Sequence, residues 1–408
     1  MPGRARTPIH TDTFPTMAKP AITISMLALL VAALLAQSTP GSARALLQDC
    51  KATMEVSTVE ALTTAVDCAN TGTTTEIDII NDLSAPDLEV YELSSSVEVR
   101  GQSKVPGQWG QNGIDINING ENVFSGGSVS GGAKLTNIAF VFNGTGESAP
   151  SFSLAAITFN PMDDQTVVLG VGSGNLKISA TSFDTITNAT AVVVLDSMWL
   201  DTSSTSFDDC ASPDAGGAMR FNSSGSFKLS STSFTNVSSD AQGGALWLST
   251  GGNATGGEFP IGPKWMYKKS TLSSTLFDSC TGTDGGAMYV AAGIMSFSST
   301  GFRNCNAAND ASSGGGMYLA NGAAIKAFTS SSFESCTAAG AGGGMYVAGT
   351  VPISISVSFD DNSAAEGNNL AVSSEGTVTF TSPFACSEIC ESDTDCTGVT
   401  CPSNPFGP

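Results

Sequence analysis

Seven side chains directly follow a recurring phenylalanine: Asp184, Asp208, Thr235, Asp278, Arg303, Glu334 and Asp360. If the units carrying them stack, they form a ladder. Neighbouring carboxylates could hold a hard cation, which makes Asp184, Asp208, Glu334 and Asp360 candidate Ca²⁺ ligands. They could also work as an acid/base pair, as could the adjacent acids Asp163–Asp164, Asp208–Asp209 and Asp360–Asp361. The competing expectation is structural. Asp is favoured in turns and stays solvated there, and Arg303 between Asp278 and Glu334 suggests charge compensation. The single histidine is His10, which falls in a leader expected to be removed. A mature chain without imidazole has no Ser-His-Asp or Cys-His triad and no His-ligated metal. No residue is assigned a catalytic role, and no cofactor is expected.

A second series is aromatic. The phrases GGAMRF, GGALWL, GGAMYV, GGGMYL and GGGMYV each end in an apolar–variable–apolar triplet. Period-two alternation points Met219/Phe221, Leu246/Leu248, Met288/Val290, Met317/Leu319 and Met345/Val347 inward. It points Arg220, Trp247, Tyr289, Tyr318 and Tyr346 outward. In parallel register these five make a strip about 19 Å long. Three outcomes are open: a binding face for sugar rings or a protein, rings that stack on one another and stiffen the sheet, or burial by the 249–270 insertion, which brings Trp265 and Tyr267.

The ten cysteines are even in number and suit an oxidising compartment. Disulfide candidates are Cys50 with Cys68, a local set of Cys386, Cys390, Cys396 and Cys401, and the repeat cysteines Cys280, Cys305 and Cys336. The last three sit three residues after Phe277, Phe302 and Phe333, so they should be stacked neighbours about 4.8 Å apart, within disulfide reach. Three in a row allow one bridge or none. Cys210 lies about two spacings from Cys280 and should not pair with it.

What must position all of these is a repeat. Aligned on phenylalanine, the chain reads SSTSFDDC, SSTSFTNV, SSTLFDSC, SSTGFRNC, SSSFESC and SVSFDDN, with SATSFDTI as an earlier copy. The phenylalanines are 183, 207, 234, 277, 302, 333 and 359; the long step from 234 to 277 contains GGNATGGEFPIGPKWMYKK. Units near 25 residues, rich in Ser, Thr, Gly, Val and Phe, read as short strands with tight turns. One unit cannot bury its own apolar face, whereas stacked units can. The expected architecture is all-β, a parallel β-solenoid of roughly a dozen coils over residues 76–382. The Gly pairs suit bends where a side chain would clash or φ must be positive. The Ser/Thr runs before each Phe could present a Thr array of the ice-binding kind, but Thr205, Thr232, Thr275 and Thr300 are expected to face partly inward as a structural stack. Upstream, Ser57-x-x-Glu60 reads as a capping box opening a helix with Val59, Leu62 and Val66 on one face. EIDII (76–80), SVEVRG (96–101), GIDININ (113–119) and KLTNIAFVF (134–142) read as strands.

The Phe-x-x-Asn/Cys motif followed by GGA or GGG and an apolar strand, over about residues 180–372, resembles the repeats of polymorphic outer membrane proteins and of related secreted β-helix proteins. The N-terminal helix is similar to the one that caps pectin-lyase-like β-helices. The resemblance implies a right-handed parallel β-helix with an N-terminal capping helix and a Cys-rich C-terminal cap, and a surface or adhesive role. Here Cys210, Cys280, Cys305 and Cys336 replace the family's Asn, which Asn362 keeps. Pectin-active enzymes on this fold carry an NTD segment, GHG and RIK, or an arginine base beside Ca²⁺. The chain has none of those motifs, and beyond the leader its arginines are Arg100, Arg220 and Arg303.

The leader is Ile22 to Ala36, ITISMLALLVAALLA, preceded by Lys19 and followed by Ala43-Arg44-Ala45. A basic flank, a short apolar core and an A-x-A site read as a signal peptide, with Met17 as an alternative start. The resulting organisation is 1–45 signal peptide, 46–75 cap, 76–382 solenoid and 383–408 tail. The whole chain has net charge −21; losing the leader removes four basic residues and one acidic one, leaving −24. Nucleic acid and anionic membranes need a basic face and are not expected partners. Sequons at Asn143, Asn188, Asn222, Asn236 and Asn253 fit export. The sequence therefore points to a secreted, glycosylated, non-catalytic surface or matrix protein contacting a cell-wall or matrix polysaccharide or a surface protein, without a transmembrane anchor. The alternative is a polysaccharide-active enzyme on the same fold.

Overall fold

The computed structural model describes residues 50–101, 133–144, 149–250, 270–353 and 356–380, with 386, 389–390 and 395–399 of the tail. The leader, the expected strand at 113–119, Asn253, Trp265, Tyr267 and Cys401 lie outside the described residues. Within them the chain is an all-β parallel solenoid of about 10 turns.

Three parallel sheets run the length of the stack. One begins at Thr53–Val56, Glu76–Ile79, Val97–Gly101 and Ser151–Ala155, and ends at Thr350–Ile353 and Thr377–Phe380. Its first rung therefore precedes residue 76. A second carries the recurring phenylalanine, through Ile157–Phe159, Ser182–Asp184, Ser206–Asp208 and Ser233–Thr235 to Val357–Asp360. The third carries the Met/Tyr triplets, through Met219–Ser223, Leu246–Ser249, Met317–Leu319, Met345–Val347 and Leu370–Val372. Two-residue strands such as Ala211–Ser212 and Ser238–Ser239 make a narrow fourth ladder.

The core follows from this register. Parallel pairing places each Phe directly on the Phe of the next coil. From Phe159 to Phe359 successive ring centroids are 4.6 to 5.1 Å apart, with planes within 12° of parallel. Burying each ring contributes about 1.5–3 kcal/mol. The long step from Phe234 to Phe277 keeps the same contact, 4.8 Å.

The coil bends twice around each phenylalanine. Ser204, Ser231, Ser274, Ser299 and Ser330 have φ between 48° and 51°, and Asp209, Asn236, Ser279, Asn304, Ser335 and Asp361 have φ between 51° and 56°. Glycine thus accounts for only part of the positive-φ backbone. Ser, Asp and Asn serve at these bends because short polar side chains bear the left-handed conformation best. The first bend turns Thr205, Thr232, Thr275 and Thr300 into the interior, where all four are buried, so no Thr array is presented. Glycine is required at the pair: Gly216 has φ +78°, and a Cβ on Gly217 would sit 2.1 Å from the Ser238 carbonyl oxygen.

Helix α1, Val59–Asn70, buries Leu62, Ala65, Val66 and Ala69 against the first strands. Its N-cap is Thr58, whose hydroxyl accepts from the Ala61 N–H at 3.1 Å. The N-cap expected at Ser57 is therefore displaced by one residue, because Thr58 is the last extended residue before the helix, and with Ala61 at the third helical position the reciprocal half of the box is missing. A disulfide joins Cys50 to Cys68, on α1. At the other end Cys390 bonds Cys396, Cys386 is also disulfide-bonded, and Cys396–Thr397 adds a rung to the third sheet.

Of the expected one bridge or none among Cys280, Cys305 and Cys336 there is none; all three are free, buried thiols, as is Cys210. They take over the hydrogen bonds that asparagine makes at the equivalent place. Asn362 donates through Nδ2 to the Phe333 carbonyl at 3.1 Å and accepts from the Cys336 N–H at 2.9 Å. The Cys336 thiol likewise donates to the Phe302 carbonyl at 3.5 Å, and the Cys305 backbone N–H donates to its sulfur. Burial pushes the Cys210 thiol up to about 12, so it stays protonated and unreactive.

Candidate functional site

The acidic series forms the expected ladder, in register from Asp184 to Asp360. It does not gather into one centre. Asp184 and Asp208 are neighbours, as are Glu334 and Asp360, but Thr235, Asp278 and Arg303 stand between the two pairs. Arg303 Nε lies 3.0 Å from Glu334 Oε2. Asn304 and Ser279 both donate to Asp278 Oδ1, each at 3.1 Å. Partial burial, then the charges of Asp209 and Asp184, raise the Asp208 carboxyl above its ordinary value. Among the described residues no group of three His, Cys, Asp or Glu side chains converges as a metal site would.

The aromatic strip is also in register. Arg220 pairs with Trp247, then Tyr289, Tyr318 and Tyr346 follow. The Arg220 guanidinium carbon lies 5.4 Å from the Trp247 ring centroid, a cation–π contact. Tyr289 and Tyr318 stack at 4.9 Å, and Tyr318 and Tyr346 at 4.8 Å. The three rings therefore cover one another's faces and turn their edges outward. Burial first, then Asp284, raises the Tyr289 hydroxyl; burial, then the two flanking tyrosines, raises Tyr318. The column continues upstream through Val193, Leu169 and Val141, all half-buried.

An exposed aromatic side chain occurs elsewhere. On the first sheet, outward positions line a groove of about 580 Å³. One column runs Glu98, Ser153, Lys177, Asp201, Lys228, and the adjacent one Ser151, Asn175, Trp199. Trp199 is 41% exposed. Gly225 makes room for it, since a Cβ there would lie 2.7 Å from Trp199 Cδ1. Lys228 and Asp201 are paired at 3.2 Å. Beyond the groove Arg100 is held by Glu76 and by Asp78, the latter at 2.8 Å. The groove spans the coils from Thr75 to Lys228, and its acidic and basic side chains balance on a chain whose overall charge is −21. An exposed indole flanked by serines, an asparagine and balanced charges suits an extended neutral, hydroxyl-rich ligand.

Sequence reasoning missed this groove. Its signal is present in the alternation of VEV, FSL, LKI, LDT and FKL, where each middle residue faces out. Those segments lack the Phe and Gly-Gly landmarks, so their mutual register was not visible. Of the sequons, Asn188 and Asn236 are exposed at bends, while Asn143 and Asn222 are half-buried in strands. No family model, curated protein or solved structure matches the chain. The fold and the groove define the class, a parallel β-solenoid with a lateral cleft. Among the described residues no helix is long and apolar enough to cross a membrane.

Proposed function

We propose that this protein is an exported, non-catalytic surface or matrix scaffold that binds a glycan in the groove around Trp199. The observation that carries this reading is the exposed indole of Trp199 in a cleft bordered by hydroxyl, amide and mutually balanced charged side chains. A sugar ring offers aliphatic faces to the indole and hydroxyls to its border. The short apolar leader and the sequons support export and glycosylation. A right-handed winding agrees with the general hand of parallel crossover connections, right-handed in about 98% of cases. Helix α1 and the disulfide-bonded tail then cover the two ends, which otherwise offer unpaired strand edges. The ladder acids and the tyrosine strip act as scaffold in this reading.

The test is binding of the mature chain to a panel of neutral and acidic oligosaccharides, repeated with Trp199→Ala. The expected result is saturable binding of at least one neutral oligosaccharide, weakened roughly tenfold by the substitution, or ~1.4 kcal/mol. Equal affinity in the variant, or no oligosaccharide bound by the folded chain, overturns the assignment.

A further inference from the structure

We propose that Tyr289, Tyr318 and Tyr346 form an oxidative modification site, at which two neighbouring rings couple into a dityrosine cross-link between adjacent coils. The tyrosine strip lies apart from the groove and does not depend on it. Three facts support the site: parallel register holds the residues one coil apart, ring centroids are 4.9 and 4.8 Å apart with planes 15° and 27° from parallel, and all three are half-buried rather than sealed. The phenylalanine ladder has the same spacing, but it is buried from Phe159 to Phe333 and lacks the phenol. Tyr91 has phenylalanine, not tyrosine, as its ring neighbour, Phe140 at 6.2 Å.

The chemistry requires a peroxide and a one-electron oxidising catalyst such as a haem peroxidase, both external to the protein. Each phenol gives up one electron and its hydroxyl proton to become a phenoxyl radical. The two radicals combine, forming one carbon–carbon bond between ring positions ortho to the oxygens. The hydrogen on each joined carbon then moves to oxygen and restores both phenols. The protein loses two electrons and two protons in all, and these reduce one peroxide to two waters. A radical held against its neighbour meets it far more often than it meets a second molecule, so coupling within one chain is favoured. Tyr318, flanked on both sides, takes part in either product.

The experiment treats the folded, purified chain with hydrogen peroxide and a haem peroxidase. The readouts are dityrosine fluorescence, the intact mass of the monomer, and the identity of cross-linked peptides. The expected product is a monomer lighter by two hydrogens, joined at Tyr289–Tyr318 or Tyr318–Tyr346. Tyr318→Phe keeps the stack and strand while removing the phenol, and should lower the yield roughly tenfold or more. Tyr346→Phe should leave the Tyr289–Tyr318 product. Circular dichroism establishes that each variant is folded. The proposal is overturned if the product joins only separate chains, maps to Tyr91 or Tyr267, persists in Tyr318→Phe, or fails to form while free tyrosine couples in the same mixture. The same pair distribution from urea-unfolded chain also overturns it.

Discussion

Replacing Asn362 by alanine tests how the interior polar ladder is satisfied. Asn362 is 8% exposed. It accepts from the Cys336 N–H at 2.9 Å and donates to the Phe333 carbonyl at 3.1 Å and to Asn369 Oδ1 at 3.2 Å. Alanine leaves a buried N–H without its partner, at about 1–3 kcal/mol, and removes one bond from a carbonyl that tolerates the loss better. The expected cost is about 2–4 kcal/mol. Asn362→Cys should cost only about 1 kcal/mol, because the Cys336 thiol already fills the equivalent place one coil earlier, donating to the Phe302 carbonyl. A stack of coils need not unfold in one step, so the loss is best read locally, as amide hydrogen exchange at Cys336 alongside urea unfolding. Equal costs for Ala and Cys, or unchanged protection of the Cys336 amide in Asn362→Ala, would refute the hydrogen-bond argument and leave the position as mere filling.

The ladders set two further outcomes. Phe277→Ala removes one ring from the middle of the stack, between Phe234 at 4.8 Å and Phe302 at 5.0 Å, and should destabilise by about 3–5 kcal/mol, with Phe277→Leu much milder; calorimetry of both variants checks it. The Asp208 carboxyl is raised in the folded state by burial and by Asp209 and Asp184, so its contribution is most favourable below the ordinary carboxylate pKa and is lost as pH rises through the raised value. Asp208→Asn should therefore stabilise the protein at neutral pH and give no gain at pH below about 3, as urea midpoints across pH would register.

The fold was legible where chemistry repeats at a fixed step. Phenylalanine three residues before Cys or Asn, and a Gly pair before an apolar triplet, fix the coil, the inward face and the outward strip. Three things were hidden. The left-handed bends at Ser204, Asp209 and their counterparts carry no glycine, so they look like ordinary polar loop. The first rung at Thr53–Val56 is too short and too polar to read as a strand without the partner it pairs with. Trp199 belongs to a column whose other members, Asn175 and Ser151, share no residue type with it; only pairing across coils brings them together. In the acidic series both the alignment and the compensation by Arg303 were visible, whereas the hydrogen bond from Asn304 to Asp278 on the preceding coil was not.

The unbroken ring contact between Phe234 and Phe277, despite the long chain interval between them, has an evolutionary consequence. A solenoid held by rung-to-rung pairing tolerates extra sequence between sheets without shifting the phase of the later coils. The junction after Ser249 can therefore accept a new segment while the rest of the rack keeps its pitch. Descendants of such a chain can diversify what they display at such junctions at little cost to folding, and two homologues can share every inward residue yet present unrelated loops.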